Sequence, residues 1–259
     1  MTYLIGFFIA LFIALTGVGA GTITVPVLIL FLDVPASIAV GIGLTYSAAV
    51  RLILVPAQIA RGNVAWRTLG AMLLGGAPGV LLGALLLGRL VSAGEQNALN
   101  AILGAILVGT ALWQIVYSFR PLERLGQRGS ETRDRNPLLA VLMFLVGAEV
   151  GFSSAGAGAL GSAALLSLTQ LEPAEVVGTD IAFGFLVSLL GSGAHGFSFA
   201  QRPELLLQLL VGGIFGAAAG TLLSARIPRN PLRFALWVWL LILGGRFLFN
   251  SYHVWAATL

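Results

Sequence analysis

The sequence predicts an all-α, polytopic membrane protein built from two homologous repeats. Of its 259 residues, 58% are hydrophobic and only 9% are charged, which is too few charges for a soluble domain of this length. The apolar runs extend for about 20 residues or more, enough to cross the hydrocarbon core of a bilayer. An internal duplication is the third observation. Together these features predict a multi-pass protein with little mass outside the membrane.

The duplication is visible as glycines that recur at a fixed spacing along the chain. Gly75 and Gly212 lie 137 residues apart, and the surrounding residues keep the same offset. The offset also pairs Gly79 with Gly216, and Gly83 with Gly220. We therefore divide the chain into a first transmembrane repeat (residues 1–119), a cytoplasmic linker loop (120–136) and a second transmembrane repeat (137–259).

Each repeat begins with an apolar run that glycines interrupt. The run 4–32 contains Gly17-Val-Gly-Ala-Gly21, and the run 138–168 contains Ser153-Ser-Ala-Gly-Ala-Gly158. Glycine destabilises a helix by about 1 kcal/mol relative to alanine, and the first run would span roughly 43 Å as one helix, against a core of about 30 Å. We expect a re-entrant pair of half-length helices in each repeat, followed by three transmembrane helices. Close helix packing through small residues is the alternative.

The arginines favour an inverted arrangement of the two repeats. With re-entrant pairs, one face carries Arg61, Arg67, Arg226, Arg229, Arg233 and the five arginines of the linker loop. The positive-inside rule then places this face in the cytoplasm and both termini outside. Full-length spans in place of the re-entrant pairs give parallel repeats with a weaker charge bias, and this alternative stays open.

The composition excludes several classes of function. The chain has no cysteine and two histidines, which excludes thiolate and multi-histidine metal sites. It contains no Walker motif, no Gly-x-Ser-Gly and no His-Glu-x-x-His. We therefore expect no enzyme activity, no catalytic residue, no cofactor and no nucleic-acid partner.

Ionisable residues within the apolar runs are the first candidates for function. A charged side chain in the bilayer costs about 2.5–3.5 kcal/mol on insertion scales, so it usually faces a partner or a cavity. Arg51 is a candidate for binding an oxyanion, since a guanidinium donates paired hydrogen bonds. Asp180 is its expected partner and, with Glu149 and His195, a candidate for proton coupling. The alternatives are a structural ion pair or snorkelling for Arg51, a helix cap for Asp180, a structural hydrogen bond for Glu149 and an interfacial position for His195.

The glycine breaks are the second set of candidates. A helix that begins inside the membrane presents free N–H groups and a partial positive charge, which together attract anions. We expect the following residues at the two breaks to bind the substrate: Gly19, Gly21, Thr22, Ser153, Ser154, Gly156 and Gly158. Packing of small residues and hydroxyls is the alternative.

The sequence resembles the sulfite exporter TauE/SafE family of bacterial membrane transporters over nearly its whole length. The resemblance rests on the paired breaks, on Val177-Gly-Thr-Asp180 followed by His195-Gly196, and on the glycine-rich spans of both repeats. It departs from the family at the first break, where three consecutive glycines are common, and at Ala163, which stands opposite Pro26.

The resemblance implies a secondary transporter in the bacterial inner membrane. Such a protein would export small anions, such as sulfite or organosulfonates, by alternating access, with protons as a candidate coupling ion. Its partners would be the anionic substrate and the lipid bilayer. A passive anion channel or a membrane assembly subunit is the alternative function.

Overall fold

The computed structural model describes residues 1–16, 19–118, 136–155, 158–196, 198–223 and 229–256. These residues form α-helices joined by short connections, with one 3₁₀ turn at Ser198–Gln201. The helices are α1 (Thr2–Thr16), α2 (Ala20–Leu32), α3 (Ala36–Ala60), α4 (Trp66–Ser92), α5 (Gln96–Ser118), α6 (Asn136–Ser153), α7 (Ala159–Leu168), α8 (Pro173–Ala194), α9 (Pro203–Leu223) and α10 (Arg229–Ala256). Residues 120–135, which make up nearly all of the predicted linker loop, lie outside the described residues, as do Gly17 and Gly156.

Six helices in the described part of the chain are long and apolar enough to cross a membrane, namely α3, α4, α5, α8, α9 and α10. The predicted multi-pass, all-helical architecture is therefore confirmed. In α3 and α8, 61% of the spanning window is buried inside the protein, against 33–44% in the other four. These two helices consequently form the centre of the bundle.

Both glycine-rich runs are divided into two helices where the sequence predicts a break. The helices α1, α2 and α7 have 15, 13 and 10 residues. At 1.5 Å per residue they are roughly 22, 20 and 15 Å long, so each is shorter than a hydrocarbon core of about 30 Å. In the second break Gly158 has a φ of 119°, a conformation that side chains other than glycine's rarely allow.

Local signals account for the ends of the neighbouring helices. α2 ends at Asp33, which adopts a left-handed conformation and donates its backbone N–H to the Leu28 carbonyl. Pro35 then prevents the helix from continuing, and α3 begins directly after it. At the start of α8, Glu172 and Glu175 form a reciprocal capping box, with Pro173 in the first turn.

The helices pack mainly in four pairs: α1 with α9, α4 with α6, α5 with α10, and α3 with α8. Gly75 and Gly79 of α4 lie directly against the backbone carbonyls of Ala140 and Phe144 on α6. The absence of a side chain on these glycines allows the two backbones to touch, which is how membrane helices gain close packing. Two glycines of α9, Gly212 and Gly216, lie against backbone carbonyls of α1 in the same way.

Candidate functional site

Arg51 of α3 and Asp180 of α8 face each other at the centre of the bundle. Arg51 is 8% exposed and Asp180 is 5% exposed, and their opposite charges attract each other. Gly184, one turn after Asp180, provides the space for this arrangement, because a Cβ atom there would collide with the Arg51 guanidinium. The structure therefore brings together the two charged residues that the sequence predicts to be partners.

The Asp180 carboxylate also lies beside the first turn of α7. Ser162 donates a hydrogen bond of 3.0 Å to Asp180 Oδ2, and Oδ1 lies against Gly161. Within the described part of the chain, Oδ1 has no hydrogen-bond partner. A helix N-terminus carries a partial positive charge, so α7 and Arg51 both stabilise the negative charge of this carboxylate.

The two glycine breaks meet in space. Gly21, in the first turn of α2, lies against the carbonyl and the hydroxyl of Ser154, at the end of α6. The Ser154 Oγ also lies near the α-carbon of Gly43 on α3. Ser154 is 4% exposed, and its Oγ has no hydrogen-bond partner among the residues that the structure describes. A buried hydroxyl therefore stands beside the N-terminus of α2.

Other predicted residues at the breaks shape the backbone. Gly19 is the N-cap of α2 and has no side chain to satisfy the free N–H groups. Its carbonyl accepts a hydrogen bond of 3.2 Å from the Thr22 N–H. The Ser153 hydroxyl is engaged by backbone, since it donates to the Glu149 carbonyl at 2.9 Å and accepts from the Ala155 N–H at 3.2 Å. These contacts fit the packing alternative for Ser153.

The structure does not bring Glu149 and His195 to the central pair. The Glu149 carboxyl group contacts the Thr110 hydroxyl of α5 at 2.6 Å. His195 follows the last residue of α8, about 22 Å along that helix from Asp180, and its Nε2 forms a hydrogen bond of 2.7 Å with the Gly151 carbonyl. Burial lowers the pKa of His195, and this hydrogen bond opposes part of that shift.

Polar residues between α3 and α8 were not predicted from the sequence. Thr45 shares a hydrogen bond of 2.7 Å with Ser192, and Ser188 donates to Ser47 at 3.2 Å. A signal for them exists, because four-residue spacing puts side chains on one face of a helix. That spacing links Asp180, Gly184, Ser188 and Ser192. The contact between the two central helices is thus polar along much of its length.

Comparisons with known proteins agree with this architecture. A family model described as sulfite exporter TauE/SafE matches residues 2–247. The chain is 29% identical, over 238 residues, to a Bacillus subtilis (strain 168) protein named "Probable membrane transporter protein YjnA". The alignment covers 90% of this chain and 93% of that relative. No solved structure gives a significant match.

Proposed function

The chain belongs to the sulfite exporter TauE/SafE family, and from this premise we propose that it exports sulfite or organosulfonates across the bacterial inner membrane. Its family and its relative make it a membrane transporter, which implies that it is not an enzyme. The observation that carries the proposal is the buried Ser154 hydroxyl beside the N-terminus of α2.

We propose that the anion binds where the two breaks meet. Apart from the Thr22 N–H, which donates to the Gly19 carbonyl, the N–H groups of the first turn of α2 lack intrahelical partners. The helix dipole contributes roughly half a positive charge there. Gly21 lets the first turn of α2 approach Ser154, Gly19 adds no side chain at the N-cap, and Thr22 and Ser154 supply hydroxyl groups. The N-terminus of α7 already lies beside the Asp180 carboxylate, so the anion is expected at α2. Gly158 and Ser153 would act by shaping the second break, and Gly156 stays a prediction from the sequence.

Arg51 and Asp180 are proposed to couple the anion to a proton. Arg51 lies on α3 about 12 Å beyond Gly43, since a helix rises 1.5 Å per residue. An anion that moved from the α2 N-terminus to Arg51 would displace the Asp180 carboxylate, which would then take up a proton. Proton transfer by Glu149 or His195 would be a separate step, because neither side chain contacts this pair.

The two halves of the chain are proposed to be inverted repeats that move against each other. Two contacts support this, since Gly76 of α4 lies against Phe183 and Gly213 of α9 lies against Tyr46. Gly76 and Gly213 are 137 positions apart in the sequence, and so are Tyr46 and Phe183. A pseudo-two-fold axis that relates the two repeats would turn one of these contacts into the other. The proposed boundaries are those predicted from the sequence: 1–119, 120–136 and 137–259.

The orientation can be tested by labelling single cysteines, because the chain has none of its own. Cysteines at Gln127 and Asn230 should react with an impermeant reagent from the cytoplasmic face, and one at Gly94 from outside. Labelling of Gln127 and Asn230 from opposite faces would rule out the inverted arrangement.

A carrier fits the geometry better than a passive channel. The cavity beside the first break, lined in part by Val25, Pro26 and Ser153, has a volume of about 10 Å³. That is room for about one water molecule, so a sulfite ion could enter this cavity only if helices moved. Movement of this kind is what alternating access requires.

The substrate can be identified with purified protein in proteoliposomes. We expect saturable flux of sulfite or of a sulfonate such as sulfoacetate, and slower flux of sulfate and carboxylates. Arg51→Gln serves as the control that lacks the proposed anion-binding charge. If folded protein moves none of these anions faster than protein-free vesicles, the proposed substrate class is wrong.

A further inference from the structure

A groove on the side of the bundle leads to the carboxyl group of Glu149. It has a volume of about 340 Å³ and lies between α5, α6 and α7. Its lining residues are Ile106, Gly109, Thr110, Trp113, Glu149 and Leu160. The surface around it is apolar, with Leu145 60% exposed and Trp113 57% exposed. In a membrane-spanning protein such a surface faces lipid, so the groove opens to the bilayer.

The hydrogen bonds in the groove indicate that Glu149 carries a proton. The Thr110 hydroxyl lies 2.6 Å from the Ile106 carbonyl and 2.6 Å from Glu149 Oε1. A hydroxyl has one proton and can donate only one hydrogen bond. Both short contacts are hydrogen bonds if Thr110 donates to the carbonyl and a protonated Glu149 donates to Thr110. An ionised Glu149 would leave one of them as an unfavourable contact between two acceptors.

We propose that Glu149 is a protonated carboxylic acid that molecules dissolved in the bilayer reach through this groove, and that it is a modification site for lipophilic carbodiimides. In this reaction the carboxyl oxygen bonds to the central carbon of the reagent while one C=N π bond breaks. The carboxyl proton moves to the nitrogen, giving an O-acylisourea. Transfer of the acyl group from oxygen to nitrogen then gives a stable N-acylurea. The whole reagent is retained, and no other reactant is needed.

The geometry explains why this carboxyl group should differ from those of Asp180, Glu95 and Glu204. Asp180 is 5% exposed and lies between α3, α7 and α8, so a bulky reagent cannot approach it. Glu95 and Glu204 are exposed near helix ends, where a water-soluble reagent has access. Glu149 alone among these four combines an apolar, lipid-facing approach with the hydrogen-bonded proton that the reaction consumes.

The test compares two reagents on the wild-type protein in proteoliposomes, with the modified peptides identified by mass spectrometry. Dicyclohexylcarbodiimide, which partitions into the bilayer, should modify Glu149 in preference to Glu95 and Glu204. A water-soluble carbodiimide carrying a tertiary amine should reverse this preference. Equal modification of Glu149 by the two reagents, or no modification by the lipophilic one, would overturn the proposal. This comparison measures modification and not flux, so it is independent of the proposed substrate.

Two matched variants test the groove itself. A Cβ atom at Gly109 or at Gly88 would meet no other atom within 4 Å, so both positions accept a larger side chain. Gly109→Leu would fill the groove and should remove modification of Glu149 by the lipophilic reagent. Gly88→Leu, on an exposed part of α4, should leave it unchanged, and Glu149→Gln should abolish it. If folded Gly109→Leu is modified at Glu149 to the same extent as the wild type, the reagent does not enter through this groove.

Discussion

Replacing Asp180 by asparagine should destabilise the protein by about 3–5 kcal/mol, the cost of leaving a buried charge without its partner. The burial of the pair decides the size of this effect. Arg51 is 8% exposed and Asp180 is 5% exposed, whereas an ion pair on a water-exposed surface would contribute only about 0–1 kcal/mol. Asparagine has nearly the shape of aspartate, so the change removes the charge without leaving a cavity.

The two single substitutions should not be equivalent. Arg51→Gln leaves a carboxyl group that can become neutral by binding a proton, whereas Asp180→Asn leaves a guanidinium that stays charged. We therefore expect Arg51→Gln to cost less than Asp180→Asn. The double variant carries no charge at this site and should be more stable than Asp180→Asn alone.

The three variants and the wild type are compared by their free energies of unfolding in detergent, with unfolding followed by tryptophan fluorescence. A coupling energy above about 2 kcal/mol is expected for two opposite charges that attract each other and are buried together. Additive effects within about 0.5 kcal/mol would show that the two charges are not coupled. A larger loss for Arg51→Gln than for Asp180→Asn would contradict the predicted order.

Three further substitutions separate recognition from packing. Ser154→Ala should leave the free energy of unfolding nearly unchanged, because the hydroxyl has no hydrogen-bond partner in the described part of the chain. The same change should weaken anion binding, and an unchanged affinity would contradict the proposed role of Ser154. Gly184→Ala adds a methyl group where the Arg51 guanidinium lies and should reduce flux. Gly193→Ala, on the same helix, should not change flux. Equal flux in the two variants would count against the contact between Gly184 and Arg51. Gly79→Ala should cost about 1–3 kcal/mol of stability, because its Cβ would meet a backbone carbonyl of α6. Its control, Gly88→Ala, should change stability by no more than about 0.5 kcal/mol. Equal unfolding free energies of the two variants would exclude the close contact of α4 with α6.

The boundaries of the helices were predictable because the signals for them are local. α3 begins directly after Pro35 and ends at a polar turn after Ala60, and both signals can be read from the sequence. The interruption of each glycine-rich run was predictable for the same reason. The pairing of α4 with α6 was not predictable, because four-residue glycine spacing identifies a packing face but not the helix that covers it.

The candidate site was predictable only in part. The pairing of Arg51 with Asp180 follows from the similar depth of two opposite charges in the membrane. The space at Gly184 and the approach of Asp180 to α7 depend on how each helix is rotated, which the hydropathy pattern does not specify. For Glu149, the sequence indicated a buried carboxyl group, but its partner Thr110 belongs to a helix from the other half of the chain.

Counterflow of labelled sulfite tests whether the chain is a carrier for small oxyanions. Proteoliposomes are loaded with unlabelled sulfite and diluted into buffer with a trace of the labelled ion. A carrier should accumulate label transiently above its equilibrium level, and the Arg51→Gln variant should lose this overshoot. Label that only rises to equilibrium with wild-type protein would indicate a channel, and no protein-dependent entry of sulfite or of a sulfonate would contradict the account.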